Sequence, residues 1–231
     1  MDERQKKLLM VIVEEYINSA APVGSGVIAE KYFGDLSSAT IRNDMAELEE
    51  NGYIFQPHTS AGRIPTLAGY AFYLENFVVS GEINSKHKKI IENTLETIGK
   101  NEEGIKTLAK TLAELSDGAI LIGFSPMNVY YTGISNLFRQ PEFQQNALMF
   151  SMSEIIDHLD EVMARIFNSV DDQVKVLIGE DSPFGQFSSV VMTKYEFSGQ
   201  MGLIGILGPN RMNYRQNMGL IQFSQKLLKN K

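Results

Sequence analysis

The sequence predicts an α+β protein with a helical N-terminal part and a C-terminal part built on a mainly antiparallel sheet. Helical spacing of apolar residues dominates the first 80 residues, whereas apolar runs typical of strands begin after Asp117. Ser80-Gly81 offers the best boundary between the two patterns. The predicted divisions are residues 1–80, a helical linker at 81–116, and residues 117–231.

The composition excludes several classes of function. The 231 residues are 43% hydrophobic and 21% charged, as in an ordinary globular protein. No apolar run approaches the roughly 18 to 20 residues of a membrane span, and the N-terminus lacks a signal-peptide pattern, so we expect a cytoplasmic protein without membrane contact. The absence of cysteine excludes disulfides and cysteine-based zinc sites. The net charge of −7 argues against broad, charge-driven binding of nucleic acid.

The N-terminal part is predicted to begin with two helices. Apolar residues recur at helical spacing from Leu8 to Ile17, and Pro22 and Gly24 end this first helix. A short second helix is predicted around Ser25–Phe33.

The third helix is predicted to start at Ser37 or Ser38, because a serine hydroxyl accepts hydrogen bonds from the free backbone N–H groups of a helix start. Asn51-Gly52 supplies its left-handed stop. Its core side contains residues at i, i+4 and i+7: Ile41, Met45 and Leu48.

A β hairpin and a fourth helix follow. Tyr53–Gln56 is predicted as a strand, Pro57–Arg63 as a loop and Ile64–Thr66 as a return strand. Three helices followed by such a hairpin form a winged helix-turn-helix, in which the third helix enters the major groove of DNA. A helix at Leu67–Val79 closes this part, with a predicted buried stripe of Leu67, Tyr70, Ala71, Leu74, Phe77 and Val78.

The outer face of the third helix is suited to reading bases. Arginine pairs with guanine, asparagine pairs with adenine, and an alanine methyl group packs on the thymine methyl. Small hydroxyl residues at the helix start permit a close approach to phosphate. Arg63 in the wing is expected to reach the minor groove or the DNA backbone. The candidate DNA-binding residues are Ser37, Ser38, Ala39, Thr40, Arg42, Asn43 and Ala46 in the helix and His58, Thr59, Ser60 and Arg63 in the wing.

A purely structural interpretation of the same residues stays open. Serines at a helix start are usually only caps, and Arg42 and Asn43 alone are compatible with a solvated face. Residues 1–66 contain six Lys/Arg and ten Asp/Glu, a net charge of −4. Attraction to phosphate then depends on a few placed groups, so a dimer that doubles the contacts is expected.

The second part alternates between helical and strand patterns. A loop is predicted at Thr132–Phe143, a hairpin joint at Ser198-Gly199 and a break at Gly208-Pro209. The predicted helices are Ile83–Gly99, Glu102–Leu115, Ile155–Phe167 and Tyr214–Leu228, and the predicted strands are Ala119–Phe124, Val129–Tyr131, Val174–Ile178, Val190–Phe197 and Gly202–Leu207.

No enzymatic, metal or cofactor site is predicted. The three histidines, His58, His87 and His158, are far apart in sequence and have no metal-ligand spacing. No set of nucleophile, base and orienting residue is recognisable. Three glycines inside an apolar strand do not match a dinucleotide-binding loop and instead indicate tight strand packing: Gly202, Gly205 and Gly208.

One long run, SSATIRNDMAELEENGYIFQPHTSAGRIPT, closely resembles the DNA-binding domain of HrcA, the family of bacterial heat-inducible transcription repressors. The segments ERQKKLLMVIVEEYI, PVGSGVIAEKY, GISNLFRQPEF and GLIGILGPNRMNY are similar to the same family. The resemblance implies a dimer that binds an inverted-repeat operator upstream of chaperone genes. It also implies a GAF-like second domain, an inserted dimerisation domain and help from the GroEL–GroES chaperonin.

The chain departs from that family pattern in one place. Leu115–Gly133 bridges in a few residues a gap that is long in family members, so the inserted dimerisation domain is expected to be missing. Dimer contacts are then expected on the helices Ile83–Gly99 and Glu102–Leu115 or on the exposed side of the sheet. The apolar stripes of the two helices are also compatible with an intramolecular core. The alternative function is a ligand-sensing GAF-like regulatory module whose winged helix mediates protein interaction, which the acidic N-terminal part motivates.

Overall fold

The chain folds into two units, Met1–Val79 and Ser80–Lys231. The structure is a computed structural model that describes residues 1–78, 81, 83–98, 101–197 and 199–229. Four predicted points involve residues outside this range: the helix end at Val79, the boundary at Ser80, the helix end at Gly99 and the hairpin joint at Ser198. The domain boundaries therefore stay predictions, and residues 81–116 fall within the second unit.

The first unit is a winged helix-turn-helix. Asp2 caps its first helix through a reciprocal capping box with Gln5. The two strands of the wing pair antiparallel, with Phe55 opposite Ile64. The elements are α1 (Glu3–Ser19), α2 (Ser25–Tyr32), α3 (Ser38–Glu50), β1 (Ile54–Phe55), β2 (Ile64–Pro65) and α4 (Leu67–Phe77).

The predicted buried stripe of α4 is partly wrong. Leu67 and Ala71 are exposed, whereas Gly69 and Tyr73 are buried. The physical reason is the close approach of the helix to the wing, since a side chain on Gly69 would place its Cβ 2.2 Å from the carbonyl oxygen of Tyr53. The helix therefore turns its glycine side inwards.

The second unit is an α+β domain on a five-stranded sheet, as expected for a GAF-like domain. The sheet order is β4-β3-β7-β6-β5, and all neighbouring strands run antiparallel. The strands are β3 (Ala119–Ser125), β4 (Asn128–Thr132), β5 (Lys175–Ile178), β6 (Ser188–Phe197) and β7 (Gln200–Pro209), and the helices are α5 (Ser85–Ile98), α6 (Glu102–Ser116), α7 (Ile134–Arg139), α8 (Asn146–Asp157), α9 (Leu159–Ile166) and α10 (Tyr214–Lys229).

Both faces of the sheet are covered by helices, which corrects the prediction of an exposed side for dimer contact. Leu121, Val190 and Leu203 face a core that includes residues of α7, α8 and α9. On the other face, α6 packs against β3, and α10 packs against β6. Successive residues of the central strands are therefore buried on both sides.

The apolar stripes of α5 and α6 also belong to the core. The two helices pack against each other, and α10 contacts both. The buried residues of these stripes are Ile91, Leu95, Ile105, Leu108 and Leu112. Their role as dimer contacts is therefore wrong, and the intramolecular alternative is confirmed. The predicted stripe residue Ile98 has a side chain outside the described part of the structure.

Three segments differ from their predicted form. The loop predicted at Thr132–Phe143 contains α7 and a 3₁₀ turn at Pro141–Gln144. Helix α7 has only six residues and no side-chain cap, so its sequence signal is weak. The helix predicted at Ile155–Phe167 is two helices that meet at His158, and Gly208-Pro209 lies within β7 rather than breaking it. Pro209 is the last residue of β7 and lies opposite Ser188, the first residue of β6.

The strand glycines permit close packing, as predicted. A Cβ on Gly202 would lie 2.2 Å from the ring of Tyr195, its partner on β6. The Tyr195 ring fills this space and is buried, and burial raises the pKa of its hydroxyl. Gly202 is therefore part of the core packing, not of a phosphate-binding loop.

The two family-like segments of the second unit, GISNLFRQPEF and GLIGILGPNRMNY, hold its irregular parts in place. Asn136 Nδ2 donates to the carbonyl oxygens of Ala113 at 3.0 Å and Gly118 at 3.1 Å. Arg211 Nε donates to Glu142 Oε1 at 2.5 Å. The bonds of Asn136 connect α7 to the end of α6. The bond of Arg211 connects the segment after β7 to the 3₁₀ turn. Both family-like segments therefore have a structural role.

Candidate nucleic-acid interface

The start of α3 is fixed by a serine cap. Ser37 Oγ accepts a hydrogen bond from the backbone N–H of Thr40 at 3.1 Å, and the two hydroxyl oxygens lie 2.9 Å apart. Ser37 is therefore the N-cap, and Ser38 and Ala39 lie exposed on the first turn. Small residues at this end leave the backbone accessible to a phosphate.

The two faces of α3 are separated as predicted. Ile41 and Leu48 are completely buried, whereas Arg42 and Asn43 are exposed. Ala46, one turn further, is also exposed. Among the described residues, neither Arg42 nor Asn43 has a hydrogen-bond or ion-pair partner. The structure thus gathers two uncommitted hydrogen-bonding side chains and a methyl group on one helical face.

An ion pair between the exposed Arg4 and the buried Asp44 anchors α3 to α1, and the sequence reasoning missed it. Arg4 Nε and Nη2 donate to the two carboxylate oxygens of Asp44 at 2.8 and 2.9 Å. The bond to Asp44 raises the pKa of the Arg4 guanidinium. Asp44 follows Ile41 by three residues and so lies on the same, buried face of α3. Because a buried carboxylate needs a partner, this spacing was a sequence signal that could have revealed the ion pair.

The remaining acids of α3 are mostly committed to the fold. Glu47 accepts a hydrogen bond from Gln5 Nε2 at 2.5 Å. Glu49 accepts one from Arg63 Nε at 2.8 Å, whereas Glu50 is exposed. Pairing with Arg63 neutralises Glu49, whereas Glu47 and Glu50 are exposed and keep their charge at the surface of this helix.

The wing presents three of its four candidate residues to solvent. His58, Thr59 and Ser60 are exposed at the tip of the loop. Arg63 differs, because its side chain is only 16% exposed and is paired with Glu49. A DNA contact by Arg63 stays a prediction, and its guanidinium is paired with Glu49 in this structure.

A cavity of about 510 Å³ lies between α3, the wing and the start of α2. Arg42 and Met45 line it on the helix side, and Thr59 and Ser60 line it on the wing side. The lining residues are Val23, Gly24, Ser25, Gly26, Arg42, Met45, Gln56, Thr59, Ser60, Ala61, Gly62 and Arg63. The cavity is thus a polar concave surface that brings together four of the eleven predicted contact residues, Arg42, Thr59, Ser60 and Arg63.

No group of three His, Asp or Glu residues in the described part of the chain is placed to hold a metal ion. No helix within the described ranges is both long and apolar enough to cross a bilayer.

The fold of the first unit places the protein in the winged helix-turn-helix class, in which the exposed third helix is the reading element. A sequence model described as HrcA protein C terminal domain matches residues 67–218. The chain therefore belongs to the HrcA family, a family of transcription repressors rather than enzymes.

Individual relatives agree with this assignment. The heat-inducible transcription repressor HrcA of Carboxydothermus hydrogenoformans is 26% identical over 332 residues, covering 99% of this chain and 97% of the relative. HrcA of Acetivibrio thermocellus is 48% identical over 97 residues, which cover 42% of this chain and 28% of the relative. A crystal structure described as a hypothetical protein has the same fold, with a TM-score of 0.75, 21% identity and coverage of 99% and 98% of the two chains.

The alignment also bears on the missing insert. The alignment with the Carboxydothermus protein extends over 332 positions, whereas this chain has 231 residues. At least 101 positions therefore have no counterpart here, the difference between these two lengths. This chain is a shortened member of the family.

Proposed function

We propose that this protein represses heat-shock chaperone genes by binding an inverted-repeat operator as a dimer. The observation that carries the proposal is the uncovered outer face of α3 on a winged helix-turn-helix of the HrcA family. Arg42 and Asn43 are exposed and uncommitted there, with Ala46 beside them. Arginine and asparagine are the side chains that make two-point contacts with guanine and adenine in the major groove.

In this proposal, the contacts divide between reading and positioning. Arg42 and Asn43 read base edges, while the start of α3 and the wing residues His58, Thr59 and Ser60 contact the backbone. The N-terminal end of α3 adds a partial positive charge near phosphate. Few contacts in each monomer make binding modest, so two monomers on one operator are required for repression.

A titration tests this function. The full chain is titrated against an inverted-repeat duplex from upstream of the chaperone genes of its own genome and against a scrambled duplex, both at the same salt concentration. We expect tighter binding to the operator. Equal binding to both duplexes, or no binding, would contradict the proposal and favour the ligand-sensing module. A GroEL–GroES arm added to the same titration tests the chaperonin dependence that the family likeness implies.

The edge of β4 is the surface that we propose for dimer contact. Within the described strands, β4 pairs only with β3, so its outer edge has no strand partner. Its sequence, NVYYT, contains neither charge nor proline, the features that usually prevent edge pairing. Two copies of this edge can pair antiparallel about a two-fold axis, which is the symmetry that an inverted repeat demands.

We expect a dimer mass by light scattering at micromolar concentration. Tyr131 is 44% exposed on β4, and Tyr131→Lys should shift the protein towards monomer because two like charges would meet across the paired edges. Met201→Lys is the matched control, since Met201 is 44% exposed on another strand of the same unit. A wild-type monomer, unchanged by operator DNA, would contradict the dimer, and equal masses for the two variants would exclude the β4 edge.

A further inference from the structure

The wing is attached to the recognition helix through one carboxylate. Glu49, on the last turns of α3, accepts two hydrogen bonds with its two oxygens. Oε2 accepts from Arg63 Nε at 2.8 Å, and Oε1 accepts from the backbone N–H of Gln56 at 2.8 Å. Because Gln56 follows β1 and Arg63 precedes β2, this single side chain holds both ends of the wing loop.

The loop between these ends is folded back by a second side chain. Gln56 Nε2 donates to the carbonyl oxygen of Thr59 at 3.1 Å and to that of Ala61 at 2.8 Å. The residue whose backbone is fixed by Glu49 thus fixes the loop tip in turn. The position of Thr59 therefore depends on Glu49 through two successive bonds.

A third attachment joins the wing to the segment between α1 and α2. Arg63 and Val23 exchange backbone hydrogen bonds, each of 2.9 Å. Gly62 permits this approach, because a Cβ there would lie 2.3 Å from the carbonyl oxygen of Val23. The backbone of Arg63 is held on one side and its guanidinium on the other, which leaves the side chain 16% exposed.

We propose that Glu49 is a positioning residue for DNA recognition and that Arg63 acts through it. In this proposal, which rests on the proposed function, Glu49 sets the wing at the distance from α3 at which His58, Thr59 and Ser60 meet the DNA backbone. An acid close to DNA ordinarily weakens binding by repulsion. Glu49 instead strengthens binding, because its charge is used to hold the wing.

The adjacent acid provides a matched control. Glu50 is exposed on the same turn of α3. Glu49→Ala and Glu50→Ala remove the same charge from neighbouring positions, so repulsion alone predicts tighter binding for both. The proposal predicts opposite signs: Glu50→Ala binds the operator as tightly as the wild type or tighter, and Glu49→Ala binds about tenfold more weakly, the size expected for loss of charge-assisted hydrogen bonds.

A double variant separates a clamp from a direct phosphate contact. If Arg63 acts through Glu49, then Arg63→Ala leaves the salt dependence of binding unchanged, and the double variant is no weaker than Glu49→Ala alone. An Arg63 that contacts a phosphate independently would lower the slope of log K against log salt by about 0.9 and would add its effect to that of Glu49→Ala. The second result would overturn the proposal.

A folding control and a second pair of variants guard against a variant that does not fold. Thermal unfolding of each variant identifies any that fail to fold. If Glu49→Ala does not fold, Glu49→Gln, which keeps one acceptor oxygen, is compared with Glu50→Gln in the same titration. Tighter or unchanged operator binding by the Glu49 variant would overturn the clamp. A wild type without preference for the operator would contradict the proposed function itself, so the two failures are distinguishable.

Discussion

Replacing Arg42 with alanine is expected to weaken operator binding by about 1–3 kcal/mol, a loss of roughly five- to 150-fold. Arg42 is exposed on the outer face of α3, and among the described residues it has no partner that would give it a structural role. Its loss should also relax specificity at one base pair, because a two-point contact with a base edge disappears. Asn43→Ala is expected to do the same at another base pair.

The measurement is a titration of wild type and variants against the operator and against operators with single base-pair changes. Arg165→Ala is the matched control, since Arg165 is an exposed arginine on α9 of the second unit and its loss changes the net charge equally. If Arg42→Ala and Asn43→Ala bind like the control while their fold is intact, α3 does not read the DNA.

Replacing Ile41, the residue before Arg42, should lower the stability of the protein rather than its affinity for DNA. Ile41 is completely buried in the core of the first unit. Ile41→Ala is expected to lower the free energy of unfolding by about 2–5 kcal/mol, through lost apolar burial and the cavity that remains. Denaturant unfolding measures this loss, and Arg42→Ala is the control, with an expected change within about 0.5 kcal/mol.

Together these adjacent substitutions test the orientation of α3 about its axis. Ile41→Ala should lower stability, and Arg42→Ala should lower DNA affinity without lowering stability. An unfolding free energy that falls equally in both variants would show that Arg42 supports the fold. The outer-face assignment of Arg42 would then be wrong.

The sequence predicted the parts of the fold that depend on local spacing. The i, i+4, i+7 pattern of Ile41, Met45 and Leu48 fixed the inner face of α3, and by helical geometry the exposure of Arg42. The strands β6 and β7 were predictable because a long apolar pattern is interrupted near Gly199, which has a positive φ of 75°. The family resemblance added the GAF-like second domain.

The sequence could not predict features that depend on partners distant in the chain. Asp44 and Glu49 look like ordinary acids on a helix, and only the fold brings Arg4 to one and Arg63 to the other. For the same reason the pairing of Arg63 with Glu49 was not predicted. The stripes of α5 and α6 were ambiguous because an apolar stripe predicts that a helix face is buried, but not whether the same chain or a second copy covers it.

Selection of DNA sites from a library of randomised duplexes tests the central claim most directly, since the protein itself chooses the operator sequence. The full chain is incubated with the library, and bound duplexes are amplified and sequenced over several rounds. We predict enrichment of two identical half-sites in inverted orientation, with centres about one helical turn or about 34 Å apart, and loss of one conserved base pair in each half-site with Arg42→Ala. Failure to enrich any sequence, or enrichment of a single site without two-fold symmetry, would contradict the account of a dimeric, α3-reading repressor.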